Sequence, residues 1–216
     1  MHEESSTAFL NEATEVYEAG MEGCSAAVEY LESRGISETA RRTARLGAVT
    51  NDNALPGHEQ FVNHLCIPYI TPSRVAALKF RRLDDGHPKY TAPLGQRVRM
   101  YNVMALQDRG DTIVICEGEL DAVVLGMVSI PAVAIAGVSQ FKPHFPRMLK
   151  GFPNVIVVAD NDAKDDGSNP GQDLAHRIIE SIPRARNVLL PEGMDINEYY
   201  LTAGADSLRS RLGIHV

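Results

Sequence analysis

From Asp111 onward, short apolar segments alternate with helix-forming ones, and this alternation constrains the fold more than any other feature of the sequence. The apolar segments are TIVIC, PAVAIA, NVIVVAD and NVLLP, and the segments between and after them are ELDAVVLGM, PHFPRMLKG, GQDLAHRIIESI and INEYYLTAG. Strands that are apolar throughout and alternate with helices form a parallel sheet covered on both faces. The sequence therefore predicts an α/β domain over residues 109–216, whose ligands bind at the carboxyl ends of the strands.

Residues 1–108 have a different sequence pattern, which predicts a small mixed α+β subdomain. CSAAVEYLESRGIS reads as a helix that ends at Gly35, and SETARRTARLG as a second helix with Ser37 as its N-cap and Gly47 as its stop. The later segments FVNHLCIPYI, RVAALKFRRL and HPKYTAP are short and rich in β-branched or aromatic residues. We expect them to form a small antiparallel sheet with a turn at Asp84-Asp85-Gly86.

The bulk composition narrows the class of protein. The chain has 216 residues, of which 44% are hydrophobic, and it contains no apolar run long enough to span a membrane. Its first twenty residues match neither a secretory nor a transit pattern. Cys24, Cys66 and Cys116 are far apart and form no CxxC pair. We therefore expect reduced thiols, a cytoplasmic location, and no zinc in this chain.

Acidic residues follow three of the four predicted parallel strands. Glu117 comes directly after TIVIC, Asp160 ends NVIVVAD with Asp162 two residues later, and Asp195 follows NVLLPEGM. Because the carboxyl ends of parallel strands share one edge of a sheet, we expect these carboxylates to lie together. Asp121 joins them from the first turn of the next helix, after a glycine that permits the sharp turn.

Such a cluster of carboxylates requires neutralisation. A helix N-terminus offsets only about 1 kcal/mol at an exposed site, which is too little for so many charges. Mg²⁺ or Mn²⁺ is sufficient, and two such ions about 4 Å apart are the usual means of moving a phosphoryl group between oxygens. The alternative for any single aspartate is that it caps a helix.

One basic segment stands out in a chain of net charge −7. The segment from Arg74 to Arg99 contains seven Lys and Arg residues but only two acidic residues, Asp84 and Asp85. A basic patch on an acidic protein is a candidate surface for phosphate contacts. A solvated hairpin face is the alternative interpretation.

The acidic segments EGELDA, ADND and GMDINEYY, each after a predicted parallel strand, resemble the Toprim domain of topoisomerases and primases. Upstream, the chain is similar to the catalytic core of bacterial and phage replicative primases of the DnaG-like type. The segments that carry this second resemblance are YLESRGIS, RLGAV, IPYI, KFRRLDDGHPKYTAP and VRMYNV. The resemblance covers the chain from about residue 24 to about residue 204.

The resemblance implies a DNA primase core that synthesises short RNA primers on single-stranded DNA by metal-dependent nucleotidyl transfer. It implies two or more Mg²⁺ or Mn²⁺ ions, with ribonucleoside triphosphates as substrates. The catalytic residues it implies are Glu117, Asp121, Asp160, Asp162 and Asp195, of which all but Asp121 would bind metal. The residues it implies for template and substrate binding are Lys79, Arg81, Lys89 and Arg99.

The sequence departs from the family pattern in two places. Asn197 stands where many bacterial primases have a second aspartate, and the loop AKDDGSNPGQD after the second acidic segment is longer than usual. No zinc ribbon precedes the core and no helicase-binding region follows it, so we expect a replicative helicase or a separate zinc-binding protein as a partner. The expected location is the cytoplasm, that of the host if a phage encodes the chain. The alternative functions are a Toprim-type metal-dependent nuclease and a catalytically silent single-strand-binding replication module.

Overall fold

The computed structural model describes residues 2–137, 140–161 and 166–214, with side chains from residue 6 onward. The chain divides into two compact units, residues 1–98 and 99–216. The sequence-based boundary after residue 108 falls later than this division. Residues 99–108 belong to the second unit because Met100 joins its hydrophobic core and Tyr101 exchanges two backbone hydrogen bonds with Ala134.

The described residues of the first unit form three helices followed by an antiparallel sheet, of which the second and third helices and the sheet are predicted from the sequence. The helices are α1 (His2–Gly20), α2 (Ser25–Ser33) and α3 (Glu38–Thr43). The strands are β1 (Gly47–Val49), β2 (His64–Ile70), β3 (Val75–Arg82) and β4 (Tyr90–Thr91), and they pair in the order β1-β2-β3-β4. A single 3₁₀ turn, Glu59–Phe61, precedes β2.

Glycine and serine positions explain where the first helices end. Gly35, with φ 68°, follows α2 as predicted, and the Ser37 hydroxyl accepts a hydrogen bond from the Ala40 N–H at 3.2 Å to cap α3. The prediction that Gly47 stops this helix is wrong. α3 ends at Thr43, and Gly47 is the first residue of β1. A Cβ at Gly47 would lie 2.5 Å from the Tyr17 carbonyl carbon, so this glycine permits the close packing of α1 on the sheet.

Aromatic residues fill the core between α1 and this sheet. The rings of Phe61 and Phe80 stack with centroids 4.0 Å apart, and Tyr17 meets Phe80 edge-on. The Tyr17 hydroxyl lies 2.9 Å from Nδ1 of the buried His58. This cluster satisfies the polar atoms that the aromatic residues bring into the core.

The second unit confirms the predicted parallel sheet. Its strands are β5 (Thr112–Cys116), β6 (Ala132–Ala134), β7 (Asn154–Val158) and β8 (Ala185–Asn187), which lie in the order β6-β5-β7-β8 and are all parallel. The helices are α4 (Glu119–Met127), α5 (Phe145–Met148), α6 (Pro170–Ser181) and α7 (Ile196–Leu212), and Val103–Gln107 forms a 3₁₀ helix. Strands and helices alternate because each crossover between parallel strands needs a helix to cover the sheet.

The strand predicted at NVLLP lies earlier in the chain than expected. β8 ends at Asn187, and beyond it only the Val188 N–H continues the pairing, by donating to the Val157 carbonyl at 2.9 Å. The apolar residues Val188 and Leu190 are buried although both lie beyond the end of β8. Their hydrophobicity therefore reflects packing rather than sheet formation.

The helix α7 is interrupted at Gly204, where φ is 82° and ψ is 172°. The part before Gly204 begins at Asp195, and the part after it carries the buried Leu208 and Leu212. Arg209 in this second part donates to the Val128 carbonyl at 3.2 Å. Along the described part of the chain, no helix is both long and apolar enough to cross a membrane.

Candidate metal and nucleic-acid site

Two acidic residues emerge next to each other at the carboxyl edge of the parallel sheet. β5 and β7 are paired neighbours, with Cys116 opposite Val158 at their ends. Glu117 follows β5 directly, and Asp160 comes two residues after β7. Both residues are partly exposed. The structure therefore brings these two predicted residues to one edge of the sheet.

Asp121 belongs to the same edge but is buried. It lies in the first turn of α4, and its Oδ1 accepts a hydrogen bond from the backbone N–H of Asn197 at 3.2 Å. A Cβ on Gly118 would collide with the Asp121 carboxylate. Gly118 is therefore required by this close approach, which is a stricter reason than the sharp turn predicted from the sequence.

The electrostatic environment of Cys116 shows how the acids converge. Burial raises the pKa of the Cys116 thiol well above its ordinary value, and the nearby carboxylates of Asp121, Asp160 and Glu119 raise it further. Glu119 is itself 1% exposed, although the sequence analysis did not include it among the site residues. Cys116 is therefore a neutral buried residue at the base of a negative edge.

Asp195 is placed by the loop between β8 and α7 and caps α7. Its Oδ1 accepts from the Glu198 N–H at 2.7 Å, and Glu198 Oε2 accepts from the Asp195 N–H at 3.2 Å. This reciprocal pair is a capping box. The capping role that the sequence left open for single aspartates thus holds for Asp195, and its role toward a metal stays a prediction.

The carboxylates fit a hard divalent cation. Their donors are all oxygen atoms, and Mg²⁺ takes only one or two carboxylates together with water and phosphate oxygens. Over the described ranges, no three His, Cys, Asp or Glu side chains form a group that could hold a metal ion by themselves. Asp162 and the following residues to 165 lie outside the described residues. The chemistry of Glu117 and Asp160 therefore suits an open magnesium site rather than a closed structural one.

Basic and aromatic side chains share one face of β3 in the first unit. Lys79 Nζ lies 4.6 Å from the ring centroid of Tyr90, and Arg81 Cζ lies 3.9 Å from that of Tyr30. Lys79 and Arg81 alternate with the buried Leu78 and Phe80, as strand geometry requires. These contacts orient the two cations on one surface of the sheet.

The other two predicted binding residues lie apart from this pair in the chain. Lys89 is exposed just before β4, and its carbonyl accepts from the Arg82 N–H at 2.9 Å. Arg99 belongs to the second unit. The structure thus places Lys79, Arg81 and Lys89 in the first unit, where Lys79 and Arg81 share a face.

The residues that hold the side chains and backbone of these sites in place were not predicted from the sequence. Tyr30, in α2, contacts Arg81, and the sequence pattern of this helix does not indicate that contact. Gln172 Nε2 donates to the Asp160 carbonyl at 3.2 Å, and a Cβ at Gly171 would collide with that carbonyl. The glycine in NPGQ was the available signal, since a glycine in the first turn of a helix permits close backbone approach.

A parallel four-stranded sheet with acids at its carboxyl edge defines the class of domain. Residues 112–206 match the family model described as the Toprim domain. Toprim domains generally bind Mg²⁺. This match covers the second unit from β5 into α7.

Several relatives match this chain beyond the Toprim domain. The Gene 57 protein of Mycobacterium phage D29 is 39% identical over 153 residues, which are 68% of this chain and 97% of that protein. The DNA primase of Pseudomonas putida KT2440 is 25% identical in an alignment 235 positions long, which covers 88% of this chain and 35% of the primase. A DnaG primase catalytic domain bound to single-stranded DNA has the same fold, with a TM-score of 0.79 and 21% identity, over 98% of this chain and 79% of that one. The chain belongs to the family of DnaG-like primase cores that contain a Toprim domain, and it spans about a third of the length of the curated DNA primases it matches.

Proposed function

We propose that this chain synthesises short RNA primers on single-stranded DNA by metal-dependent nucleotidyl transfer. The observation that carries the proposal is the emergence of Glu117 and Asp160 from adjacent parallel strands, in a chain of the primase family. Nucleotidyl transfer needs anionic ligands beside the reacting phosphate, and the carboxylates of these two partly exposed residues supply them.

The carboxylates have a shared role in this proposal. Glu117, Asp160, Asp162 and Asp195 would hold two or more Mg²⁺ or Mn²⁺ ions, and no zinc. When bound, these ions would supply positive charge that stabilises the α-phosphate of the incoming ribonucleotide as the 3′-hydroxyl of the primer, losing its proton, displaces pyrophosphate from it. Asp121 accepts the Asn197 N–H and so fixes the first turn of α4 beside Glu117.

The basic residues would hold nucleic acid and triphosphate. Lys79 and Arg81 are fixed by tyrosine rings on one face of β3, and Lys89 extends from the exposed connection that follows this strand. Phosphate contacts of this kind set the position of the strand and carry no sequence information. The DnaG catalytic domain bound to single-stranded DNA, which shares this fold, supports such a role. Arg99 is assigned the same role by the family resemblance.

Under this proposal, a second protein selects the sites on the template at which primers start. We infer a replicative helicase or a separate zinc-binding protein as the partner that selects start sites in the cytoplasm of a host cell. The phage relative, which the chain matches over 97% of its length, supports a phage setting.

The decisive experiment incubates the chain with single-stranded DNA, labelled ribonucleotides and Mg²⁺ or Mn²⁺. Short labelled RNA that disappears in the Asp160→Asn variant supports primer synthesis. Shortened DNA without RNA would instead support the nuclease alternative. Binding of the strand without either product would support the silent module.

A second arm separates initiation from extension. Initiation must hold two nucleotides on the template at once, whereas extension holds one, so the entropy cost of initiation is greater. We expect the isolated chain to extend an annealed RNA primer well and to initiate poorly on several template sequences. Efficient initiation at one particular trinucleotide would contradict the inferred need for a separate partner.

A further inference from the structure

Asn161 joins the end of β7 to the loop that leads to α7. Its Nδ2 donates to the Leu190 carbonyl at 3.0 Å, and its own carbonyl accepts from the Gly193 N–H at 3.1 Å. Asn161 directly follows Asp160, and Gly193 lies two residues before Asp195. One residue therefore couples the backbone positions of two acids that come from different strands.

Three further amide side chains extend this connection through α6. The N-cap residue Asn169 donates from Nδ2 to Asn161 Oδ1 at 3.2 Å. Gln172 donates from Nε2 to the Asp160 carbonyl at 3.2 Å, and its Oε1 accepts from Asn187 Nδ2 at 2.8 Å. The hydrogen-bonded chain thus runs from β8 through α6 to both sides of Asp160.

The chemistry of these side chains suits a cation site. Amide groups donate to backbone carbonyls without carrying a net charge. A Lys or Arg in the same place would form an ion pair with the carboxylates and compete with a divalent ion. The four amides therefore fix the backbone while leaving the negative charge at the sheet edge intact.

We propose that Asn161 and Gln172 are positioning residues that hold Asp160 in register with the loop leading to Asp195. A divalent ion then meets carboxylates whose backbone is already fixed, so less ordering accompanies binding. This inference rests on the proposed function, in that Asp160 is taken as a cation ligand.

The test measures Mn²⁺ binding to the full chain by electron paramagnetic resonance titration. Asn161→Ala and Gln172→Met should each raise the Mn²⁺ dissociation constant by about tenfold or more, since residues that orient metal ligands typically contribute on that scale. The spectrum of the bound ion should also broaden, because its ligands become less uniformly placed. Asn53→Ala is the matched control. Asn53 also makes two local hydrogen bonds, to Thr50 and Ala48, but lies in the first unit.

The outcomes separate this inference from the proposed function. If Asp160→Asn weakens Mn²⁺ binding while Asn161→Ala and Gln172→Met bind like the parent, the positioning role is refuted and the metal site stands. If the parent binds no Mn²⁺ specifically, or if Asp160→Asn binds Mn²⁺ as tightly as the parent, the metal site and the positioning role are both refuted. Circular dichroism identifies any unfolded variant, and Gln172→Met, which nearly conserves volume, decides the matter if Asn161→Ala loses its fold.

Discussion

The carboxylate of Asp121 accepts the backbone N–H of Asn197 across 76 residues of chain, at 3.2 Å. The contact ties the first turn of α4 to the first turn of α7, and both residues are buried. The resemblance to primases aligns Asn197 with a second aspartate of many bacterial primases. Its backbone, rather than its side chain, makes this contact.

Asp121→Ala should therefore destabilise the second unit. The substitution leaves the Asn197 N–H buried without its acceptor, which costs about 1–3 kcal/mol of unfolding free energy. Asp121→Asn retains an acceptor oxygen and should cost less. Urea unfolding measures both, with Asp206→Ala, which removes an exposed ion pair with Arg209, as a control of small effect. Equal stability of Asp121→Ala and the parent would contradict the prediction.

Gly118→Ala should disturb the same contact from the other side. The new Cβ would collide with the Asp121 carboxylate, so the side chain must shift or the turn must open, at a cost of about 1–3 kcal/mol. Mn²⁺ affinity should fall as Glu117 moves with the turn. Gly126→Ala in the same helix meets no atom within 4 Å and should leave stability unchanged or raise it. Calorimetric titration with Mn²⁺ and thermal unfolding compare the two variants.

Neutralising Arg81 and Lys89 together, as Gln, should weaken single-stranded DNA binding. The slope of log affinity against log salt should flatten by about 0.7 for each DNA phosphate that the two side chains no longer neutralise. Replacement of the exposed Arg147 and Lys150 by Gln removes the same charge from the second unit and controls for net charge. A salt slope equal to the parent's would mean that the basic segment is a solvated face.

Tyr30→Leu should lower the same affinity without changing the salt slope. Arg81 keeps its charge and its contact with the Tyr90 ring, whose centroid is 5.8 Å away, but loses the nearer ring, a contribution of about 0.5–1 kcal/mol, or roughly two- to fivefold in Kd. Tyr30→Phe keeps the ring and should bind like the parent. Its hydroxyl is buried and has no hydrogen-bond partner among the described residues, so its removal should not destabilise the fold. Fluorescence anisotropy over a salt series distinguishes the two variants.

The first unit should lose stability as the pH falls below about 6.5. Burial among aromatic rings lowers the pKa of His58 from its ordinary value of 6.5, and Glu59 opposes this effect only in part. The unfolded chain then binds the proton more readily than the folded one, so the His58 contribution is complete above pH 6.5 and is lost below it. His58→Phe should flatten this dependence in urea unfolding between pH 5 and 8. The exposed His87→Gln should retain the parent's profile.

The sequence predicted the parallel sheet because its strands are apolar throughout and each is followed by a helix. It placed Glu117 and Asp160 correctly at one edge, since strand ends are fixed by sheet topology. It placed β8 too late, because Val188 and Leu190 are buried by packing beyond the end of the strand. The prediction for Gly47 was wrong because the sequence alone does not distinguish two kinds of glycine. One kind ends a local helix, and the other, like Gly47, permits close packing against a helix that is distant in the chain. The amides around Asp160 are not predicted for a related reason, since Asn161 and Gln172 donate to backbone carbonyls of other segments, those of Leu190 and Asp160.

The interruption of α7 at Gly204 has a mechanical consequence. The segment before it begins at Asp195, and the segment after it is anchored by Leu208, Leu212 and the Arg209 bond to Val128. A continuous helix would transmit a displacement of one end to the other as a rigid rod. Because the helix is interrupted at Gly204, we expect a displacement of the anchored segment to be taken up by a change in the backbone angles of that residue, so that Asp195 keeps its place.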